Sequence, residues 1–396
     1  MNTIIDYVDW RGDLPFKQSP FNEIDAVIFT QLAYIDFSEI VSSDFNKTIL
    51  LKDAAVQIAS SENFEQRVNF GPLINAEIVT LLQKAGESNR FGKIKLCGYV
   101  SSTDTEQEKQ FAAISLILEN KTNLIIFRGT DQSIVGWKED FNMAFKMPIP
   151  AHIEAVNYFD KACKSLKGKI RVAGHSKGGN LSIFSATYCQ ERFQKRIIEI
   201  YNYDGPGFEQ IVLNDKRYIN IQKKIRTFVP KKSIVGMLFD TNTEKTIVES
   251  SNNGIMQHDP LTWNVLGSSF VTLDEISKES EFINKTLKIW LNKTDKDKRE
   301  NFIETVFGII ESTEANNITE ITDNLFKTSS KMIQTYKNLD AETKDVLFET
   351  AKIFVKSAKD AVHNSIHEKN TSISRDITHN PLTNLGFGPS NTIEPK

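Results

Sequence analysis

The stretch that decides the fold of this chain runs Val172-Ala173-Gly174-His175-Ser176-Lys177-Gly178-Gly179-Asn180-Leu181-Ser182. It contains the pattern Gly-x-Ser-x-Gly, which places a serine on a sharp turn between a strand and a helix. The residues before it, 169–173, have β propensity, and those after it, 180–188, have helical spacing and small side chains. These flanks favour an exposed nucleophilic Ser176 over the alternative, a glycine-rich turn with an ordinary capping serine.

The composition is that of a soluble globular protein. The chain has 396 residues, of which 40% are hydrophobic and 25% are charged, and this length allows a full α/β core and a second unit. The formal net charge of −3 gives no electrostatic footprint for nucleic acid or for an anionic membrane. We therefore expect no nucleic acid partner.

Cysteine usage and the first residues bear on the compartment. Cys97, Cys163 and Cys189 lack the spacing of a metal or redox site and are expected to be buried small hydrophobes in a reducing environment. Residues 1–7 lack the pattern of a signal peptide, and the apolar run at 26–35 is too short to cross a bilayer. We expect a protein that is cytoplasmic as synthesised, with any secretion independent of a signal peptide.

Strands and helices alternate over residues 1–270. Strands are predicted at 94–101, 111–118, 122–127, 169–173, 196–203, 224–229 and 246–249, and helices at 134–145 and 151–165. This alternation predicts an α/β-hydrolase fold, with a mostly parallel central sheet covered by helices on both faces. Because chemistry lies at the carboxyl ends of parallel strands, Thr130, Ser176 and Asp204 are expected at one edge.

The composition changes near residue 271, where glycine and proline become rare. Helices are predicted at 273–292, 299–312, 317–338 and 341–365, in a helical domain spanning 271–367, and the polar segment 368–396 is predicted to be disordered. Apolar seams run along two of these helices: Phe302, Val306, Phe307 and Ile310, and Leu347, Ala351, Phe354, Ala358 and Ala361. They fit either a small bundle that packs on itself or an arm in 273–365 that binds helical protein partners.

A serine nucleophile needs a base, and in this fold the base follows the serine in the sequence. The six histidines are His152, His175, His258, His363, His367 and His379. Only His258 lies in a loop after the last predicted strand, so it is the candidate base. The alternative is a surface histidine capped by Asp259.

The acid that orients the base has two candidates. Asp204 ends the strand after the Ser176 unit, and Gly205-Pro206-Gly207 behind it would fix a tight turn. Asp240, beyond the next strand, is the alternative acid, and the alternative role of Asp204 is to cap the next segment. The oxyanion hole is predicted at the backbone N–H of Lys177 and at Thr130, which follows an earlier strand.

Several motifs together resemble a known family. Phe127-Arg128-Gly129-Thr130, then Trp137 with Asp140, then Gly174-His175-Ser176-Lys177-Gly178-Gly179, resemble the class 3 lipase pattern. Ile5 to Asp13, Pro20 to Asp25, and Tyr203 to Phe208 look like a bacterial branch of lipase-like hydrolases of poorly defined function. The resemblance covers residues 1–270 and implies a serine nucleophile at Ser176, an oxyanion role for Thr130 and a histidine role for His258.

Two positions depart from that pattern. Class 3 lipases carry their aspartate just past the strand that corresponds to 224–229, where this chain reads Pro230-Lys231-Lys232-Ser233-Ile234-Val235-Gly236 without a carboxylate. The acid has therefore moved to Asp204, or Asp240 reaches back, or the triad is incomplete. At Lys177 lipases often carry an apolar residue, and its charge would either favour an anionic head group or pair with Asp204.

The leading hypothesis is a serine hydrolase of carboxylic esters, a lipase, phospholipase or esterase acting on a lipid or small ester, with transient contact at a membrane surface. No cofactor and no metal are expected, because neither a zinc-type cluster nor a nucleotide fingerprint is present in the sequence. Alternatives are a non-catalytic binding module of hydrolase fold, and a secreted lipase-type antibacterial toxin whose helical region binds export partners.

Overall fold

The computed structural model describes residues 2–70, 74–118, 122–315, 320, 325–341, 343–345, 348–349 and 352. The predicted seam from Leu347 to Ala361, His363, His367, His379 and the segment 368–396 are not among the described residues, apart from isolated positions near the start of that seam. The chain begins with helices that sequence patterns did not single out: α1 (Ile4–Arg11), α2 (Glu23–Leu32), α3 (Leu51–Ala59), α4 (Phe64–Arg67) and α5 (Ile78–Glu87).

All the predicted strands are present, within three residues of the expected bounds. After the short β1 (Ile49–Leu50) they are β2 (Lys95–Asp104), β3 (Lys109–Ile117), β4 (Asn123–Phe127), β5 (Ile170–His175), β6 (Ile197–Tyr203), β7 (Ile225–Pro230) and β8 (Lys245–Val248). Three short strands follow: β9 (Val265–Leu266), β10 (Ser269–Phe270) and β11 (Thr272–Leu273). β9 pairs with β10 as a separate hairpin.

The central sheet is mixed, with a parallel centre. In the described part of the chain its order is β1-β2-β3-β4-β5-β6-β7-β8-β11. The strands from β4 to β8 are parallel to one another, whereas β1 to β4 and the β8–β11 pair are antiparallel. The flank is antiparallel because only a tight turn joins β2 to β3, and a parallel pair needs a long crossover.

Helices supply those crossovers and cover both faces. Between β4 and β5 lie α6 (Ile134–Asn142) and α7 (Pro150–Ser165), and α8 (Lys177–Tyr188) and α9 (Glu191–Gln194) connect β5 to β6. Next come α10 (Gln210–Leu213) and α11 (Lys216–Ile221) before β7. One apolar cluster joins α1, α2, α3 and α5 to the sheet, and a second joins α7, α8 and α11 to its other face. An α/β fold with a core on each side of the sheet follows.

The apolar run at 26–35 belongs mostly to α2, which is buried on all sides. Every residue of α2 after Glu23 is buried, because the helix lies between the sheet and the other N-terminal helices. In the described ranges no helix combines the length and apolar character needed to cross a membrane. Cys97, Cys163 and Cys189 are buried and free.

The N-terminal motifs form a buried ion pair. Arg90 contacts Asp25 at 2.5 Å with both side chains fully buried, and it also donates to the carbonyl oxygens of Leu14 and Ser19 at 2.9 Å. The Tyr7 hydroxyl donates to Asp25 at 3.1 Å. Within the N-terminal motifs, Tyr7 and Asp25 are therefore core residues that hold the N-terminal helices together.

The helices after residue 271 pack on the α/β unit. They are α12 (Lys278–Lys293), α13 (Lys296–Glu311) and α14 (Leu325–Asn338). Ile303 and Phe307 of α13 are buried in a cluster with Ile134 of α6 and with Phe145. Much of the predicted apolar seam on α13 therefore packs against the α/β unit. Neither alternative from the sequence, a bundle that packs on itself or an arm that binds partners, predicted this contact.

Candidate active site

Ser176 lies on a strained turn between β5 and α8. Its backbone has φ 58° and ψ −131°, a conformation that non-glycine residues rarely adopt. The glycines around it permit close approach, since a Cβ on Gly174 would lie 2.1 Å from the backbone of Gly178. A Cβ on Gly178 would lie 2.1 Å from the carbonyl oxygen of Phe127. The turn therefore holds Ser176 against the end of β4, as Gly-x-Ser-x-Gly predicts.

The structure brings His258 to Asp204. The two side chains are joined by a 2.6 Å hydrogen bond between His258 Nδ1 and Asp204 Oδ2, with His258 27% exposed and Asp204 fully buried. Asp204 follows β6, beside the serine, because the Ser176 N–H donates to the carbonyl oxygen of Tyr203 at 2.9 Å. With its proton on Nδ1, His258 keeps Nε2 free to accept one. Within the described residues the Ser176 hydroxyl has no hydrogen-bond partner of its own.

The loop that lacks the class 3 aspartate supports Asp204 instead. Ser233 Oγ donates to Asp204 Oδ1 at 2.5 Å, and the Gly236 N–H donates to the same oxygen at 3.2 Å. A Cβ on Gly236 would lie 2.3 Å from that oxygen, so only glycine fits there. The carboxylate thus has three donors in a site closed to water, and charge-assisted bonds of this kind fix its orientation.

A second histidine holds the loop that carries the first. His175 Nε2 donates to the backbone carbonyl of His258 at 2.8 Å, and the Tyr34 hydroxyl donates to His175 Nδ1 at 3.2 Å. Burial and the neighbouring His258 hold the pKa of His175 well below its usual range, so this ring is neutral and has one donor and one acceptor. His175 is buried, and its ring centroid lies 4.5 Å from that of His258. No sequence pattern indicated that it fixes the His258 backbone.

The oxyanion candidate Thr130 lies on the other side of the serine. A Cβ on the adjacent Gly129 would lie 3.2 Å from the Ser176 Cβ, which shows how closely this loop approaches the turn. The Thr130 hydroxyl donates to Asp140 Oδ2 at 2.5 Å. Burial raises the pKa of Asp140 to about 6, and the nearby Lys177 charge and the Thr130 hydrogen bond oppose that rise.

The expectation for the Lys177 side chain is wrong. Its Nζ donates to Glu139 at 2.9 Å and to both the backbone and side-chain oxygens of Gln110, and the side chain is only 1% exposed. It neither pairs with Asp204 nor reaches an anionic head group, because a buried ammonium ion must be neutralised locally. The backbone N–H of Lys177 lies at the start of α8, where the first N–H groups of a helix have no acceptor within the helix.

Asp240, the alternative acid, lies elsewhere. Its carboxylate contacts Lys288 of α12 at 2.6 Å and accepts a hydrogen bond from Gln210 at 3.3 Å, and it is 43% exposed. Of the two candidate acids, Asp204 is thus the one in contact with His258. Asp259, the proposed cap of a surface histidine, instead accepts from the Leu261 N–H and from Asn75, both at 2.9 Å.

Sequence reasoning therefore singled out the candidate side chains that the structure brings together, but it missed the residues that support them. The missed residues are Tyr34, Glu139, His175, Ser233 and Gly236. The one signal that pointed to any of them was the 230–236 loop, which stood out because it has no carboxylate. In the described ranges no group of three or more His, Cys, Asp or Glu side chains is arranged to hold a metal ion.

The chain is similar to a solved structure of the native propeptide complex of Rhizomucor miehei lipase, with 19% identity over 39% of this chain and 57% of that one and a TM-score of 0.30. A crystal structure of M37 lipase matches with 16% identity over 54% of this chain and 69% of that one, at a TM-score of 0.35. The chain thus spans little more than half of the Rhizomucor miehei lipase chain. No curated protein matches.

A family model gives the classification. The model described as Mbeg1-like matches residues 85–308, which include Thr130, Ser176, Asp204 and His258 as well as α12 and most of α13. Since this match covers more than half of the chain, the protein belongs to the Mbeg1-like family, which is a lipase-like family.

Proposed function

We propose that this protein is a serine hydrolase that cleaves carboxylic esters through an acyl-enzyme on Ser176. The observation that carries the proposal is the 2.6 Å contact between His258 and a fully buried Asp204, one strand away from a serine with φ 58°. A buried carboxylate that fixes a partly exposed imidazole in one tautomer, beside such a serine, is the arrangement that acyl transfer requires.

The proposed reaction has two halves. Ser176 Oγ attacks the ester carbonyl carbon while His258 Nε2 takes its proton, and the N–H groups of Lys177 and Thr130 stabilise the oxyanion. The intermediate collapses as His258 returns the proton to the leaving alcohol. Water then attacks the acyl-enzyme, again with His258 as base, and releases the carboxylic acid and Ser176.

The proposed substrate class is a lipid or lipid-like ester. It is supported by the lipase-like family and by the class 3 resemblance of the Phe127–Thr130 and Gly174–Gly179 motifs. The buried position of Lys177 removes the one charge that sequence had suggested for an anionic head group, so we expect a neutral ester to be accepted.

The experiment is covalent labelling with a fluorophosphonate probe, followed by intact mass. The wild type should gain one probe adduct, Ser176→Ala none, and His258→Ala and Asp204→Asn should react far more slowly. Asp240→Asn is the matched control, because it makes the same change at the aspartate that contacts Lys288. Absence of labelling in a folded wild type would contradict the proposal and favour a non-catalytic binding module. Equal slowing in the two Asp→Asn variants would overturn the choice of Asp204 as the acid.

A further inference from the structure

Helix α6 lies between the serine turn and the C-terminal helices. Toward the turn, Asp140 accepts from Thr130 at 2.5 Å and Glu139 accepts from Lys177 at 2.9 Å. These two residues are adjacent on α6, so this helix is tied to Thr130 and to the side chain of Lys177. It holds Thr130 through the Asp140 hydrogen bond and through close packing at Gly136, where an added Cβ would lie 2.9 Å from Thr130 Cγ2.

The opposite side of α6 contacts α13. Lys138 is 8% exposed, and its Nζ lies 2.9 Å from Glu304 and 3.5 Å from Glu311, both of α13, and 2.7 Å from Glu108. Two of the three carboxylates around this nearly buried ammonium therefore come from the C-terminal helix. A buried charge stays in place only while its partners do.

Apolar packing joins the same two helices. Phe307 of α13 is buried, and its ring centroid lies 5.5 Å from that of Phe141 on α6. The Arg299 guanidinium donates to the carbonyl oxygen of Ala144, just after α6, at 2.6 Å. Contacts of three kinds thus hold one end and one face of α6 against α13.

We propose that α13 sets the oxyanion hole by holding α6, with Lys138 and Phe307 as positioning residues for Thr130. The inference rests on the proposed function and adds a role for the C-terminal helices, which become part of the hydrolytic machinery. Preorganised donors lose much of their effect when they shift by about 1 Å, which costs on the order of 100-fold in rate. Loosening α13 should therefore lower kcat and leave KM almost unchanged.

The test uses the full chain and two independent ways of loosening α13. Glu304→Gln with Glu311→Gln removes the two charges and keeps the packing, whereas Phe307→Ala removes the packing and keeps the charges. The controls make the same changes at exposed positions: Glu300→Gln on α13 and Phe348→Ala. The readouts are kcat and KM for a short-chain p-nitrophenyl ester, and hydrogen–deuterium exchange across residues 128–142 and 170–176.

We expect kcat to fall by about tenfold or more in both test variants, with KM unchanged, faster exchange over 128–142 and unchanged exchange over 170–176. The controls should behave as the wild type. Unchanged kcat despite faster exchange in α6, or a loss of activity with no change in exchange, would overturn the inference. If the wild type hydrolyses no ester and takes no fluorophosphonate, the proposed function fails by itself. Exchange at 128–133 in the variants then decides whether α13 holds the Thr130 loop.

Discussion

Two carboxylates near Ser176 are held differently: Asp204, on the side of His258 (the histidine flank), and Asp140, on the side of Thr130 (the oxyanion flank). On the histidine flank Asp204 is fully buried and accepts hydrogen bonds from His258, Ser233 and the Gly236 N–H. On the oxyanion flank Asp140 accepts one, from Thr130, and its Oδ1 lies 3.6 Å from Lys177, beyond hydrogen-bond distance. Three donors fix the orientation of Asp204, whereas burial with a single hydrogen-bond donor raises the pKa of Asp140 to about 6.

The two carboxylates are therefore expected to have different effects. The proposed role of Asp204 is to orient His258, and its donors are arranged around both carboxylate oxygens. Burial raises the pKa of Asp140 to about 6. Asp140 is connected to the predicted oxyanion hole by its hydrogen bond with Thr130. Variants of the first residue should therefore act on rate, and variants of the second on the pH dependence of stability.

The largest effect is expected from Asp204→Asn. The amide cannot accept the Nδ1 proton of His258 as a carboxylate does, so the imidazole loses its tautomer and orientation, and kcat should fall on the order of 10⁴-fold. Steady-state hydrolysis of a p-nitrophenyl ester measures it. Asp240→Asn, at the carboxylate that contacts Lys288, should keep wild-type kcat, and a comparable loss there would show that the acid has been assigned to the wrong strand.

The next effect concerns Asp140→Asn and appears in stability. Because the pKa of Asp140 is raised to about 6 in the folded protein, its neutral form is favoured by folding. That contribution is complete below the unfolded pKa, near 3.8, and is lost as the pH rises through about 6. Asparagine has no such loss, so the variant should gain stability relative to the wild type by up to about 3 kcal/mol between pH 4 and pH 7.

Urea unfolding at a series of pH values measures this difference. Ser176→Ala changes no titratable group in this pH range and is the control, for which the difference from the wild type should not vary with pH. A difference between Asp140→Asn and wild type that is constant, or that falls as pH rises, would contradict a raised pKa at Asp140.

Ser233→Ala should have a smaller effect, confined to the histidine flank. It removes one of three donors to Asp204, and a hydrogen bond to a charged group contributes about 1.5–3 kcal/mol. Because two donors remain, we expect a decrease in kcat of about tenfold with little change in KM. Ser185→Ala is the matched control, since Ser185 is equally buried but donates to the backbone of α8. Equal effects of the two would mean that Ser233 acts only through stability.

The sequence allowed the candidate site residues to be chosen because each follows a strand or a turn with a recognisable pattern. Gly-x-Ser-x-Gly pointed to Ser176, chain order pointed to His258, and the strand end before Gly205 pointed to Asp204. The fold class followed from the alternation of strands and helices. These features are local, so they can be read along the chain, although the catalytic roles themselves stay predictions.

The supports could not be found in this way because they depend on contacts between distant segments. Lys177 meets Glu139 across 38 positions and Ser233 meets Asp204 across 29, and no spacing rule connects them. The Lys177 expectation failed for this reason: next to a nucleophile a lysine suggests a substrate contact, but the packing of α6 on β3 places a buried carboxylate beneath it. The role of α13 depends in the same way on packing between helices far apart in sequence.

The smallest effect is expected from Tyr34→Phe, because Tyr34 supports His258 indirectly, through His175. Tyr34 and His175 are 141 positions apart, and the tyrosine hydroxyl donates to a ring that donates to the His258 backbone and whose centroid lies 4.5 Å from that of the His258 ring. Tyr34→Phe removes this one neutral hydrogen bond, contributing about 1 kcal/mol, so kcat should fall about fivefold with KM unchanged. Tyr158→Phe is the control, because Tyr158 donates to the carbonyl oxygen of Gly98 within the other core cluster. If both variants lost activity equally, the Tyr34–His175 contact would be a packing contact with no part in positioning the base.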